Sequence, residues 1–139
     1  MLFVDTGFFV ALLDKNDAHS SKARKLYQAV EGTRLITTAA VLIELLNSFG
    51  DRGPYLRTHT INFVRKLHAN PNVEIVALTQ DLYFEALDYY ERHRDKGYSH
   101  TDCLSFLIMN DRGIREALAH DHHFTQAGFT ALLRDAGER

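Results

Sequence analysis

The sequence has 139 residues, a length typical of one domain, and we expect residues 1–139 to fold as a single unit. With 45% hydrophobic residues, 24% charged residues and two prolines, the composition is that of a globular protein and excludes a disordered or fibrous chain. A net charge of −2 argues against a general basic field for nucleic acid, so any phosphate-binding surface must be local or assisted by a metal ion.

Short apolar runs alternate along the chain with longer stretches whose apolar residues recur at helical spacing. In chain order, the pattern predicts a strand at 2–4, helices at 8–13 and from 17 to a stop at Gly32, a strand at 35–37, helices at 39–49 and 58–68, a strand at 73–77, helices at 79–92 and 102–112, and a strand at 116–119. Asp17 is predicted to cap the second helix, and Thr38 can cap the third.

Strands that are separated by helices in this way predict a parallel sheet covered by helices on both faces, which is the α/β class. In open parallel sheets, ligands bind beyond the carboxyl ends of the strands. Asp5 directly follows the first predicted strand, and Asp121 follows the last one. We therefore expect both carboxylates at the same edge of the sheet, provided that these two strands lie close together.

Two further acids lie in apolar helices. Glu44 interrupts a predicted helix that is otherwise apolar nearly all round, and a buried carboxylate must be neutralised, hydrogen-bonded, paired with Arg or Lys, or bound to a metal ion. Asp102 opens a helix of core residues, where an acid can serve instead as an N-terminal charge beside a cap from Ser99 or Thr101. If all four acids converge, their repulsion requires a cation, and hard oxygen ligands select Mg²⁺ or Mn²⁺.

Other polar residues near these acids have alternative roles. The Thr6 hydroxyl can orient a metal ion or its water, or can form a hydrogen bond that stabilises the turn. The histidines of 120–123 suggest zinc, but neighbouring residues at a strand end point in different directions and no HExxH or CxxC pair is present. We predict that these histidines lie at the surface or support metal ligands. Basic residues around 15–25 and 92–96 are either solvated helix faces or contacts for flanking phosphates.

The sequence contains no signal for export or membrane insertion. Asp5 interrupts the N-terminal apolar run, and no later run approaches the ~20 apolar residues that cross a bilayer. Cys103 has no cysteine partner and lies in the apolar segment 103–109, which indicates a core thiol in a reducing compartment. We therefore expect a cytoplasmic protein without a membrane segment.

Four segments together carry a resemblance to a known family. They read FVDTGFFVALL at 3–13, TTAAVLIELLN at 37–47, SHTDCLSF at 99–106 and AHDHHFTQAGF at 119–129, which includes an Asp-x-x-Phe pattern. The set spans nearly the whole chain in the matching order. The sequence thus resembles the PIN-domain family, particularly the VapC-like toxin nucleases of bacterial toxin–antitoxin pairs.

This resemblance implies a PIN-like α/β/α sandwich with a small parallel sheet of about four or five strands. It also implies a Mg²⁺ or Mn²⁺ site, endonucleolytic cleavage of RNA, frequent homodimers and, for a toxin, a cognate antitoxin. By matching positions, Asp5, Glu44, Asp102 and Asp121 correspond to the four acids that serve the family as metal-binding and catalytic residues. Thr6 is a candidate for supporting them.

The leading hypothesis is an RNA endonuclease that hydrolyses phosphodiester bonds with a metal-activated water. A catalytically weak module that binds RNA or protein is the alternative, and a divalent-metal titration distinguishes the two. A phosphohydrolase with an aspartyl nucleophile is disfavoured, because no second acid follows Asp5 by two residues. Which RNA is cut, whether tRNA, rRNA or mRNA, stays open. The exposed or buried placement of four aromatic residues also stays open: Tyr83, Phe84, Tyr89 and Tyr90.

Overall fold

The computed structural model describes residues 1–134, which form a five-stranded sheet in the order β3-β2-β1-β4-β5. The strands are β1 (Leu2–Val4), β2 (Leu35–Thr38), β3 (Val73–Val76), β4 (Glu116–Leu118) and β5 (Thr130–Ala131). Every neighbouring pair is parallel. The predicted α/β class with a parallel sheet of four or five strands is therefore confirmed.

Seven helices of the described residues flank this sheet and give the α/β/α sandwich. They are α1 (Thr6–Leu13), α2 (Ser20–Ala29), α3 (Ala39–Phe49), α4 (Pro54–Ala69), α5 (Gln80–Arg92), α6 (His100–Arg112) and α7 (His122–Gln126). The longest described helix, α4, has 16 residues, and none in 1–134 combines the length and hydropathy needed to span a bilayer. Thr38 caps α3 as predicted, since its hydroxyl accepts a hydrogen bond from the Val41 N–H at 3.1 Å.

Several helix starts differ from the predictions, those of α1, α2 and α4 among them. Helix α1 begins at Thr6, directly after β1, and α4 begins at Pro54, where proline at the first helical position leaves no N–H unsatisfied. The predicted cap of α2 is wrong. His19 precedes that helix, and the Asp17 carboxylate instead accepts the His19 N–H at 2.8 Å in the turn before it. A short polar residue stabilises a turn by the same local bond that it uses in a cap, so the pattern does not separate the two.

The core lies between the sheet and the helices and holds the C-terminal segment in place. Phe3 in β1 and Phe106 in α6 both pack against Phe124 of α7, with ring centroids 6.3 and 5.0 Å away. All three are completely buried. Cys103 is also buried, and burial raises the pKa of its thiol to about 11, which confirms the prediction of a core thiol. This packing fixes the loop between β4 and α7 against the first strand.

Candidate metal and active site

The carboxyl ends of β1 and β4 are neighbours in the sheet. Phe3 pairs with Ala117 and Val4 with Leu118, and the Asp5 N–H continues the ladder by donating to the Leu118 carbonyl at 3.1 Å. Asp5 therefore leaves β1 at the edge where the chain leaves β4 on its way to Asp121. The first and fourth strands are therefore adjacent, as the expected convergence of Asp5 and Asp121 required.

All four predicted acids line one open cavity of about 490 Å³ at this edge. Besides these acids, the cavity is lined by Thr6, Gly7, Val10, Asp17, His19, Gly97, Ser99, His120 and His123. Five of the described lining residues are acids and none is Lys or Arg. The cavity thus concentrates carboxylates, and within the described residues only histidines accompany them as basic side chains.

Asp5 is the most strongly perturbed of the acids. It is only 7% exposed, and as the residue before α1 it makes no side-chain capping hydrogen bond. Burial raises the pKa of Asp5 from 3.8 to about 7, with a further rise from the charges of Asp102, Asp121 and Glu44 that outweighs the lowering by the Thr6 backbone. An ionised Asp5 at neutral pH therefore calls for a cation in the cavity.

Glu44 is held by Thr6. The Thr6 hydroxyl donates to Glu44 Oε1 at 2.7 Å, across 38 residues of sequence. Glu44 is half-buried, and the neighbouring Ile43 and Leu46 are 51% and 37% exposed, so this helix is apolar nearly all round but is not buried on every side. Helix α3 packs on α1, α4 and α6 and leaves these two apolar side chains exposed, which apolar composition alone does not reveal. Within residues 1–134, Glu44 makes no ion pair, so the predicted alternative of an Arg or Lys partner is not found.

Asp102 combines a structural role with a place in the cavity. It lies in the first turn of α6, where the Ser99 hydroxyl accepts the Asp102 N–H at 2.9 Å and Asp102 Oδ2 accepts the Ser99 N–H at 3.1 Å. Ser99, rather than Thr101, is therefore the cap. The pKa of Asp102 is raised overall, and burial is the main cause, with a further rise from the charge of Asp121. The hydrogen bond from the Ser99 backbone and the contact with His123 lower it in part. Its contacts with Ser99 and His123 all use Oδ2, so Oδ1 makes neither of them.

Asp121 precedes α7 and is more exposed than Asp102, with 37% of its side chain accessible against 10%. Two residues separate it from the end of β4, so it does not follow the strand directly. Its Oδ1 accepts the His123 N–H at 2.9 Å and lies 3.4 Å from His123 Nδ1. The carboxylate is thus fixed by the start of α7 while its other oxygen takes no part in these contacts.

The sequence predicted that the histidines of 120–123 lie at a strand end and point in different directions, and for His122 and His123 this is wrong. Residues 121–123 begin a helix and are not a strand end, and within residues 1–134 their donor atoms lie within 4.8 Å of one another. His122 Nδ1 is 3.6 Å from Asp121 Oδ1, and the His122 and His123 rings are 4.3 Å apart. His120 instead stacks on His19 at 3.9 Å, on the cavity wall.

The four acids share a cavity but are spread more widely than direct ligands of one bare ion. Among the described residues, no three of these acids bring one oxygen each within 4.8 Å of one another. Mg²⁺ commonly retains several waters and is held by one or two carboxylates, so this spacing suits a hydrated ion or two ions. The donor set of hard oxygens fits Mg²⁺ or Mn²⁺.

Sequence reasoning missed several residues of the cavity. Asp17 and His19 come from the loop between α1 and α2, where no motif marks them. Gly97 lies behind His123, because a Cβ at position 97 would come 3.2 Å from His123 Nε2. In the sequence, a glycine after the helix predicted at 79–92 indicates a turn, but it does not indicate this close approach.

Comparison with known proteins agrees with this architecture. The family model for the PIN domain matches residues 2–130. The 23S rRNA-specific endonuclease VapC20 of Mycobacterium tuberculosis, in two strains, is 32% identical over 132 residues, which are 95% of this chain and 98% of the relative. A crystal structure of VapC20 from the same organism, described as a Sarcin-Ricin loop cleaving toxin, superposes with a TM-score of 0.82 at 30% identity and covers 94% of this chain and 97% of that one.

The residues that the family model matches include all four motifs that carry the sequence resemblance. The relative is a nuclease, which supports the same class of activity here. The resemblance to VapC-like nucleases is confirmed, and this chain belongs to the PIN domain family.

Proposed function

We propose that this protein is a metal-dependent endoribonuclease in which Asp5, Glu44, Asp102 and Asp121 hold one or two Mg²⁺ or Mn²⁺ ions. The observation that carries the proposal is a cavity lined by these four acids and, among the described residues, by no Lys or Arg. Burial and, after it, the charges of the other acids raise the pKa of Asp5 to about 7, and a strongly perturbed carboxylate in a cleft supports a functional site.

Neighbouring polar residues orient two of the four acids before a metal ion or substrate binds. A bound Mg²⁺ or Mn²⁺ supplies positive charge beside the phosphodiester and lowers the pKa of a water that can act as nucleophile. Thr6 holds Glu44 and Ser99 holds Asp102, so neither carboxylate has to be ordered when substrate arrives. Asp5 has to lose its proton for the site to reach its full negative charge.

The substrate we propose is ribosomal RNA. VapC20 is named for 23S rRNA and described as cleaving the Sarcin-Ricin loop, and we propose the same substrate for this chain. Two basic surfaces border the cavity and can hold flanking phosphates, which offsets the weak overall charge. Lys15, Arg24 and Lys25 line a pocket that shares Asp17 with it. Arg94 and Lys96 line another that shares Gly97.

We further propose a cytoplasmic toxin that forms homodimers and is held inactive by an antitoxin. Tyr83, Phe84 and Tyr90 of α5 are each 44–51% exposed, whereas Tyr89 packs on Phe106 at 6.2 Å. The exposed three therefore suit an interface, and the fourth belongs to the core. An antitoxin arginine inserted among the carboxylates would occupy the place of the cation.

Cleavage of a defined RNA hairpin with the Sarcin-Ricin sequence tests the proposed function. Wild-type protein should cut it with Mg²⁺ or Mn²⁺ and not with EDTA, and Asp5→Asn should not cut it. Equal cleavage by the wild type and Asp5→Asn would remove the proposed mechanism. Metal-independent binding of the hairpin without cleavage would indicate the alternative, a binding module of the same fold.

A further inference from the structure

His123 connects two of the four acids. Its Nδ1 lies 3.0 Å from Asp102 Oδ2 and 3.4 Å from Asp121 Oδ1, while its backbone N–H donates to the same Asp121 oxygen at 2.9 Å. Asp102 comes from α6 and Asp121 from the loop before α7, so the two acids are otherwise carried by different parts of the fold. His123 thus contacts both carboxylates within the cavity.

The His123 ring is held in place by packing. Only 17% of the side chain is accessible, and the ring meets Tyr98 edge to face at 5.4 Å. Tyr98 in turn packs edge to face on Phe106 at 5.1 Å, in the core. Gly97 lies against Nε2 of the ring, and because glycine has no side chain it leaves room for this nitrogen. The ring therefore has little freedom to turn away from the acids.

The direction of the ring decides between two roles. An ionised carboxylate only accepts hydrogen bonds, so a 3.0 Å contact with an ionised Asp102 requires the ring proton on Nδ1, which then has no lone pair for a metal ion. Nε2 faces Gly97 and not the acids. The cluster of Asp121, His122 and His123 is close enough to suggest direct ligation, but the 3.0 Å bond to Asp102 already uses the nitrogen that would serve.

We propose that His123 is a positioning residue: its Nδ1–H holds Asp102 and its backbone N–H holds Asp121, which fixes both carboxylates in place for a divalent ion. The proposal rests on the proposed metal-dependent function and specifies how this chain prepares the site. Hydrogen-bond partners of metal ligands orient them, and loss of such a partner typically lowers metal affinity about 10- to 100-fold.

Mn²⁺ binding to the full chain without RNA tests the proposal, measured by electron paramagnetic resonance. His123→Asn places an amide N–H where Nδ1 lies, whereas His123→Gln carries the same group one carbon further out and His123→Leu has no donor. We expect Asn to bind Mn²⁺ within roughly 3-fold of wild type, and Gln and Leu to bind it about 10- to 100-fold more weakly. His68→Asn, at an exposed position in α4 away from the cavity, is the matched control and should bind as the wild type does.

Several outcomes would overturn the positioning role. Unchanged affinity in His123→Leu would do so, as would Asn binding as weakly as Gln. Nitrogen hyperfine coupling to Mn²⁺ that is present in wild type and absent in His123→Leu would make His123 a direct ligand instead. Should Leu fail to fold, as judged by thermal melting, the Asn and Gln pair still decides the question, because the two carry the same polar group.

Failure of this inference is separable from failure of the proposed function. Mn²⁺ binding that depends on His123, in a protein that does not cut the RNA hairpin, would contradict the nuclease proposal alone. Metal-dependent cleavage with Mn²⁺ affinity indifferent to His123 would contradict the positioning role alone. A wild type that binds no Mn²⁺ at all would contradict both.

Discussion

The first two acids and the last two acids line the same cavity, but their surroundings differ. On the first side, Asp5 is buried without a side-chain cap bond, and Glu44 is held by the single hydroxyl of Thr6. On the second side, Asp102 belongs to a reciprocal capping pair with Ser99, and both it and Asp121 contact His123. The second side is thus stabilised by its own hydrogen bonds, whereas the first side depends more on a cation.

This difference separates stability from function within one site. Asp102 does structural work that exists without a metal ion, because a capping pair typically contributes about 1 kcal/mol to a helix. Asp5 makes no side-chain capping bond, and its negative charge is unfavourable without a metal ion. Substitutions on the two sides should therefore agree in their effect on catalysis and disagree in their effect on folding.

The largest expected effect is on cleavage by Asp5→Asn and Asp102→Ala. Both should reduce RNA cleavage by more than roughly 100-fold, because loss of a ligand exceeds the 10- to 100-fold cost of losing a ligand's partner. In EDTA at pH 8, however, Asp5→Asn should raise the melting temperature and Asp102→Ala should lower it. A melting temperature that falls in both variants would contradict the distinction between the two sides.

Thr6→Val should have the next largest effect. It removes the donor to Glu44 with little change of volume, so we expect Mn²⁺ affinity and cleavage to fall by about 10- to 100-fold. Thr6→Ser should restore both. Thr60→Val is the matched control, since the Thr60 hydroxyl donates to the Leu56 carbonyl inside α4, away from the cavity. Equal losses of Mn²⁺ affinity in both valine variants would show a general effect on packing.

The stability of the metal-free protein should depend on pH through Asp5. Because its folded-state pKa is raised to about 7 from 3.8, the folded protein binds more protons than the unfolded chain between these values. Its contribution is present in full below the ordinary pKa and is lost as pH rises to about 7, so the melting temperature in EDTA should fall over this range. Asp5→Asn should flatten that slope, and an unchanged slope would assign the effect to other groups.

The smallest effect is expected at the bordering basic surface. Arg24→Ala and Lys25→Ala should weaken binding of the RNA hairpin, with the salt dependence of log affinity reduced by about 1 for each lost phosphate contact. Hydrolysis of a small phosphodiester, which cannot reach this surface, should be unchanged. Arg65→Ala, an exposed position on α4, is the control. Equal RNA binding by all three variants would indicate that the basic residues of 15–25 are a solvated helix face and not a contact for RNA phosphates.

Much of the fold could be predicted because local signals were strong. The four longer strands, the cap at Thr38 and the buried Cys103 follow from apolar patterning and short polar residues at helix starts. For α6 the pattern left Ser99 and Thr101 as alternative caps, and only the structure selects Ser99. Strand β5 was missed, because two residues carry no periodicity. The fifth strand exists because its chain is pinned beside β4, where the Thr130 N–H donates to the Arg115 carbonyl at 2.9 Å.

The chain alone determined which four acids are candidates, since each breaks an apolar pattern at a strand end or in a helix. Only the tertiary structure decided how they are held. The contacts of Glu44 with Thr6 and of Asp102 with His123 span 38 and 21 residues, and a hydrogen bond of that separation leaves no trace in local composition. Sheet adjacency brings such residues together, and packing then chooses which atom of each side chain meets its partner.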